Sequence, residues 1–298
     1  VNSATKLPGK TRKLGGASVG IPPRQLNFRL PDEPPRYPVA NNATATTFIA
    51  VLSGFFPPGE RFFMESVRHF RDQISDPHLK AQVSGFMGQE AIHGREHERL
   101  NAMLIGQGID VRIPERAVSI ALKVLERFPA RQQLAFTTFM EHFTALVGEQ
   151  FLTDEHFQSQ GDQKMLQLWL WHAMEELEHK SVAFDVYEAI GNRRRERLLA
   201  FPMVTLVMLP ALFGSWMYLL AKEGKLLDRR DLAKGFGLMV GPRGLIGRII
   251  PKMGLFARKD FHPNKKDTSA LEAQWRERLF GENGTLRDQV GNLDSFTQ

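Results

Sequence analysis

Glu90-Ala91-Ile92-His93 and Glu176-Leu177-Glu178-His179 are two Glu-x-x-His tetrapeptides, far apart in a chain of 298 residues. On a helix, a carboxylate and an imidazole three residues apart face the same side, as two donors to one metal ion must. His172 precedes Glu176 by one turn, and at 100° per residue His172, Glu176 and His179 share an arc of about 60°. Glu90, His93 and His97 share a similar arc. Both triplets interrupt apolar stripes, one formed by Met165, Leu168, Ala183 and Val186, the other by Val83, Phe86 and Leu104. Ionisable groups on a core-facing stripe are costly unless they pair or coordinate something. The chemistry they suggest is metal binding.

The chain has no cysteine. That excludes disulfides, thiolate nucleophiles, Cys-ligated zinc and iron–sulfur clusters, and suits a reducing cytosol. Any metal must be held by His and carboxylates, a set that favours iron, with manganese or zinc as alternatives. Two Glu-x-x-His helices are half of a dinuclear carboxylate bundle, in which two further helices each give one Glu. Glu141 in FTTFMEHFTALVGE and Glu60 in FFPPGERFFMESV supply those, Glu60 being preferred to Glu65 because Glu65 takes the opposite face. The expected ligands are therefore Glu60, Glu90, His93, Glu141, His172, Glu176 and His179. His97, His142, Glu175 and Thr144 are expected as supporting or proton-moving groups. Glu178 points away and is expected at the surface, with His69, His78, His156 and His262 in surface or packing roles. Gln89 rules out a His-Glu-x-x-His protease motif, and no nucleophile elbow, Walker loop or dinucleotide fingerprint occurs.

The elements that must position these groups are helical. Residues 1–43, rich in Pro, Gly, Asn and Arg, form an extended or disordered arm. Residues 44–191 form the bundle, with helices over 44–55, 58–75, 77–106, 114–127, 129–157 and 162–191, the first two separated at Pro57-Pro58. Residues 192–298 contain the apolar run 198–221 and a polar tail with one short helix after Asp267. The run has the length of a membrane span, with Trp216 and Tyr218 near one end as interfacial aromatics would be. Buried helices, a membrane-docked element and a true span all fit it. The fold class is all-α, a ferritin-like four-helix bundle with extra apolar C-terminal helices. The net charge of +6 is spread over several segments rather than one DNA-reading element. No nucleic-acid partner is expected. No apolar secretory segment opens the chain, so the expected location is cytoplasmic, with the inner face of the membrane as a docking place.

FPPGERFFMESVRHFRDQISDP, QEAIHGREHERLN, TTFMEHFTA and WHAMEELEHKSVAFDVY together resemble the bacterial predicted metal-dependent hydrolases, over about residues 44–225. The ligand order also resembles that of the di-iron arylamine N-oxygenases: Glu, then Glu-x-x-His, then Glu, then His-x-x-x-Glu-x-x-His. That resemblance selects Glu60; Glu90 and His93; Glu141; and His172, Glu176 and His179, and leaves His97 without a counterpart. It covers ligands and spacing only, so no substrate is carried over. The resulting expectation is an oxygen-activating oxygenase or oxidase with two iron ions, an electron donor and a hydrophobic small-molecule substrate. A hydrolase using a metal-bound hydroxide is the alternative reading, and a ferritin-like storage or redox protein a second one. A homodimer is also expected as an option.

Overall fold

The computed structural model describes residues 15–292, and the first fourteen residues of the arm lie outside it. Among the described residues there is no strand, only isolated bridges between Leu26 and Val290 and between Val39 and Gly161. Four helices carry the candidate ligands, the first three being α1 (Ala43–Arg68), α2 (Pro77–Gly106) and, after α3 (Arg112–Leu125), α4 (Ala130–Thr153). The short α5 (Glu155–Gln160) leads into the fourth, α6 (Gln163–His179), and then α7 (Val182–Ala189). α1 packs along α2 and α4 along α6, the two pairs closing face to face around a continuous apolar core. Side chains begin these helices as their types suggest: Asn42 accepts from Ala45 N, Asp76 precedes Pro77 and accepts from His78 N, and Asp162 accepts from Met165 N.

Some expected boundaries move. Pro57 and Pro58 do not divide two helices but lie inside α1. A proline at position 57 leaves the Ser53 carbonyl without its usual donor. The Asn101 side-chain amide supplies one at 3.1 Å, which helps the helix continue. The expected helix over 129–157 ends at Thr153 because Asp154 turns and caps α5 through Phe157 N. The expected helix over 162–191 is interrupted between His179 and Val182, where Ser181 Oγ donates to Asp185.

Residues 15–42 lie along the bundle, with Ile21, Leu26 and Phe28 buried. Gly85 of α2 has no room for a side chain because the Ile21 carbonyl would stand 2.4 Å from its Cβ. The C-terminal third contributes α8 (Arg194–Lys222), α9 (Arg229–Met239), α10 (Ile250–Met253) and α11 (Ser269–Phe280). α8 packs on α3, α4 and α1, and runs unbroken through Pro202 and Pro210. Both prolines are exposed, so the carbonyls they leave free can reach water. Trp216 is no interfacial aromatic: it is 2% exposed, and its indole N–H donates to Thr44 O at 2.9 Å.

Candidate metal centre

Glu60 from α1, Glu90 and His93 from α2, Glu141 from α4, and His172, Glu176 and His179 from α6 meet inside the bundle, and all are buried. His93 Nδ1 lies 3.7 Å from Glu90 and 3.9 Å from Glu176. His179 Nε2 lies 3.5 Å from Glu90 and 4.0 Å from Glu176. His172 Nε2 is 2.8 Å from Glu176 and 3.9 Å from Glu60. Within this cluster two groups of donors are close enough to hold an ion, Glu90, His93, Glu176 and His179 in one and Glu60, His93 and His172 in the other. Glu141 joins the first group through His179 Nδ1 at 3.2 Å. A side chain at Gly94 would stand 2.9 Å from Glu60 Oε2, so glycine there makes room for that carboxylate.

The three imidazoles share one design. In each, one ring nitrogen is engaged by a neighbour and the other faces carboxylate oxygens. His93 Nε2 meets Glu175 at 3.0 Å, and burial lifts Glu175 to about 7 against the pull of Arg24, which sits on its other oxygen at 2.6 Å. That contact turns His93 Nδ1 toward Glu90 and Glu176. Behind His172 a chain fixes the proton positions: Ser53 Oγ donates to Asn101 Oδ1 at 2.7 Å, so it accepts from His97 Nδ1 at 2.9 Å. His97 Nε2 then accepts from His172 Nδ1 at 2.7 Å, which turns His172 Nε2 toward Glu176, its hydrogen-bond partner at 2.8 Å, and Glu60. Glu141 stands behind His179 in the same manner. A hydrogen bond to the far nitrogen is how proteins orient an imidazole that binds a metal.

The carboxylates show the complementary strain. Both oxygens of Glu60, both of Glu90, one each of Glu141 and Glu176, His93 Nδ1 and His179 Nε2 are buried without a hydrogen-bond partner. At about 1–3 kcal/mol each, eight such atoms would consume much of the roughly 5–15 kcal/mol that stabilises a domain. Burial, then the charge of Glu176, raises Glu60 well above the usual carboxylate range. Burial, then Glu141 and Glu176, does the same to Glu90. Burial lifts Glu141 to about 7 against the pull of His179. Burial also opposes ionisation of Glu176, but His179 and His172 hold it below its ordinary value. His179 loses affinity for its proton by burial and regains more from Glu141 and Glu176, reaching about 9. Burial, reinforced by His172, depresses His93 and His97. Crowded acids and imidazole nitrogens converging on one buried space, with few hydrogen-bond partners among them, are what a cation site looks like.

The family comparison agrees with this chemistry. The model of the family described as predicted metal-dependent hydrolase matches residues 22–267. The chain belongs to that family. No curated protein and no solved structure matched. The matched span includes the arm from residue 22 and the C-terminal helices α8 to α10 as well as the bundle.

Two expected roles change. Glu178 is not a surface residue: its side chain is fully buried, paired with Arg24 and Arg276 at 2.8 Å and with Gln89 Nε2 at 2.8 Å. Burial alone would raise its pKa, but Arg24 and Arg276 hold it down. The helix phase was right that Glu178 turns from the centre; the arm and α11 cover the face it turns to. His142 also faces away from the cluster, with Nε2 3.3 Å from Lys252 O and its ring beside Phe256 and Phe261. Burial depresses it to about 4. Thr144 borders the centre beside Glu176, in a cavity described below. Sequence reasoning missed Arg24, Ser53 and Asn101, which hold Glu175 and His97. Ser53 and Asn101 carry no ionisable group to draw notice, and Arg24 lies in an arm without periodicity.

Proposed function

We propose that this chain holds two metal ions: one against Glu60, His93 and His172, the other against Glu141 and His179, with Glu90 and Glu176 between them. The observation that carries this reading is the convergence of eight buried, partnerless donor atoms from four helices. The order of donors along those helices is that of ferritin-like dinuclear carboxylate proteins, which supports the pairing. The donor set fits iron, manganese or zinc. Such ions would supply Lewis acidity and an activated water for hydrolysis or, as reduced iron, electrons for oxygen.

Hydrolysis is the first reading, because the family comparison supports it. The chain's own contribution would be to keep one nitrogen of each of three imidazoles aimed inward and to hold carboxylates where positive charge is concentrated. Oxygen activation on a hydrophobic small molecule is the second reading, and one observation favours it. The cavity touching His172 and Glu176 is about 30 Å³ and is otherwise walled largely by apolar groups, among them Leu52, Phe56, Phe143 and Val147, with Thr144 at its edge. A space that small and dry suits a diatomic gas better than an ester. Phe151 and Trp169, stacked with centroids 5.6 Å apart, line both this cavity and the next one, of about 40 Å³.

The test is metal analysis of the full chain made in iron-supplemented medium, followed by two assays on the loaded protein. Turnover of ester, amide or phosphate substrates that disappears in Glu176→Ala supports hydrolysis. Oxygen uptake after anaerobic reduction, with no such turnover, shifts the assignment to the second reading. A chain that binds fewer than one equivalent of any of the three metals sinks the dinuclear proposal.

A further inference from the structure

α8 carries no charged side chain over the 24 residues from Leu198 to Ala221, a length of about 36 Å. It is long and apolar enough to cross a membrane by length and composition. Its packing decides against crossing. Arg197, Ala200, Val204, Trp216, Leu219 and Leu220 are buried against the bundle, so lipid cannot surround the helix unless the charged bundle enters with it. Over residues 199–213 the face opposite Ala200 and Val204 is bare, whereas the last turns, with Trp216, Leu219 and Leu220, are covered. Leu199, Leu206, Leu209 and Phe213 are 43%, 70%, 56% and 51% exposed. At 100° per residue they fall within an arc of about 80°. On α3, which packs beside α8, Ile120 and Val124 are 67% and 36% exposed.

Charge identifies what covers this face. Exposed Arg193, Arg194 and Arg195 stand at one end of α8 and exposed Lys222 at the other. Pairing with a second copy would set cations against cations, because Arg195 shares the arc of the exposed α8 face and exposed Arg116, Lys123 and Arg127 flank Ile120 and Val124 on α3. An anionic surface neutralises both ends at once. We propose that the exposed face of α8 docks this protein on an anionic lipid bilayer, lying in the interfacial plane with its cationic ends at the headgroups.

The experiment is flotation of the full chain with vesicles of phosphatidylcholine mixed with phosphatidylserine, against vesicles of phosphatidylcholine alone. The expected result is binding to the mixed vesicles that is about tenfold weaker on the neutral ones and weakens with added salt. Leu206→Glu/Phe213→Glu should lose that binding while keeping the parent's helicity, thermal midpoint and metal content, because both side chains are exposed. Arg193→Glu/Arg194→Glu/Arg195→Glu should weaken binding to the mixed vesicles alone. No binding to either vesicle, or a Leu206→Glu/Phe213→Glu variant that floats like the parent, overturns the proposal. So does a parent that sediments as a dimer which those two glutamates dissociate, since the face is then a self-contact.

Discussion

At the scale of single residues, the centre depends on what stands behind its imidazoles as much as on the imidazoles. Glu175 engages His93 Nε2, His97 engages His172 Nδ1 and Glu141 engages His179 Nδ1. Each contact frees the other nitrogen to act as a ligand. The same crowding makes the metal-free centre a source of instability. Glu60, whose acid form is favoured by burial and by Glu176, opposes folding increasingly as pH rises above the ordinary carboxylate range. Glu60→Gln should therefore stabilise the metal-free protein by about 1–2 kcal/mol and shrink the further stabilisation given by metal. Thermal unfolding with and without added metal reads both, and a lower metal-free midpoint in the variant contradicts the account. Arg24 is the opposite case, a buried cation held between Glu175 and Glu178. Arg24→Met leaves both carboxylates without it and should cost about 3–5 kcal/mol, seen as a lower urea midpoint. A change under 1 kcal/mol, by roughly the same scale, would mean the pair is not desolvated as described.

Among the elements, α1 shows how one helix can carry a proline pair and a ligand together. Ser53 and Glu60 lie about two turns apart on α1, with Pro57 and Pro58 between them. Asn101 both satisfies the Ser53 carbonyl and fixes the hydroxyl that positions His97. Asn101→Ala should then cost about 1–3 kcal/mol in stability and weaken metal binding by about 10–100-fold. Urea unfolding and metal titration measure the two separately, and loss of stability with unchanged affinity would confine Asn101 to the helix. The segment following α10 is fastened to α7 by His262, whose Nε2 lies 2.9 Å from Asp185. The hydrogen bond with Asp185 is the main cause that raises His262 above its ordinary value of 6.5. A raised histidine stabilises fully below the ordinary value and loses that contribution as pH rises through the raised one. Asp185→Asn should flatten the decline in thermal midpoint above neutrality, and an unchanged slope would remove the pair from consideration.

For the whole molecule, the arm and the C-terminal third are parts of one construction with the bundle. Leu26 pairs with Val290 across the chain, Phe28 N donates to Glu96, and Arg24 and Arg276 meet on Glu178. Removing either end should therefore disturb the support of His93 although neither end supplies a candidate ligand.

The sequence by itself determined the helical class and which side chains could meet. A three-residue spacing on a 3.6-residue period sets the phase of Glu90, His93, Glu176 and His179 before any neighbour is known. It also made a metal the chemistry to look for, since acids and imidazoles on an apolar stripe need a cation or a partner. Only the tertiary structure decided what lies on the far side of each helix. Glu178 and Glu175 are adjacent on α6 within one turn, and both point to Arg24, a residue more than a hundred positions away. Such contacts have no local period to reveal them. The same reason explains the continuity of α1 through its prolines and the burial of Trp216: local preference was overruled by a distant amide and a distant carbonyl.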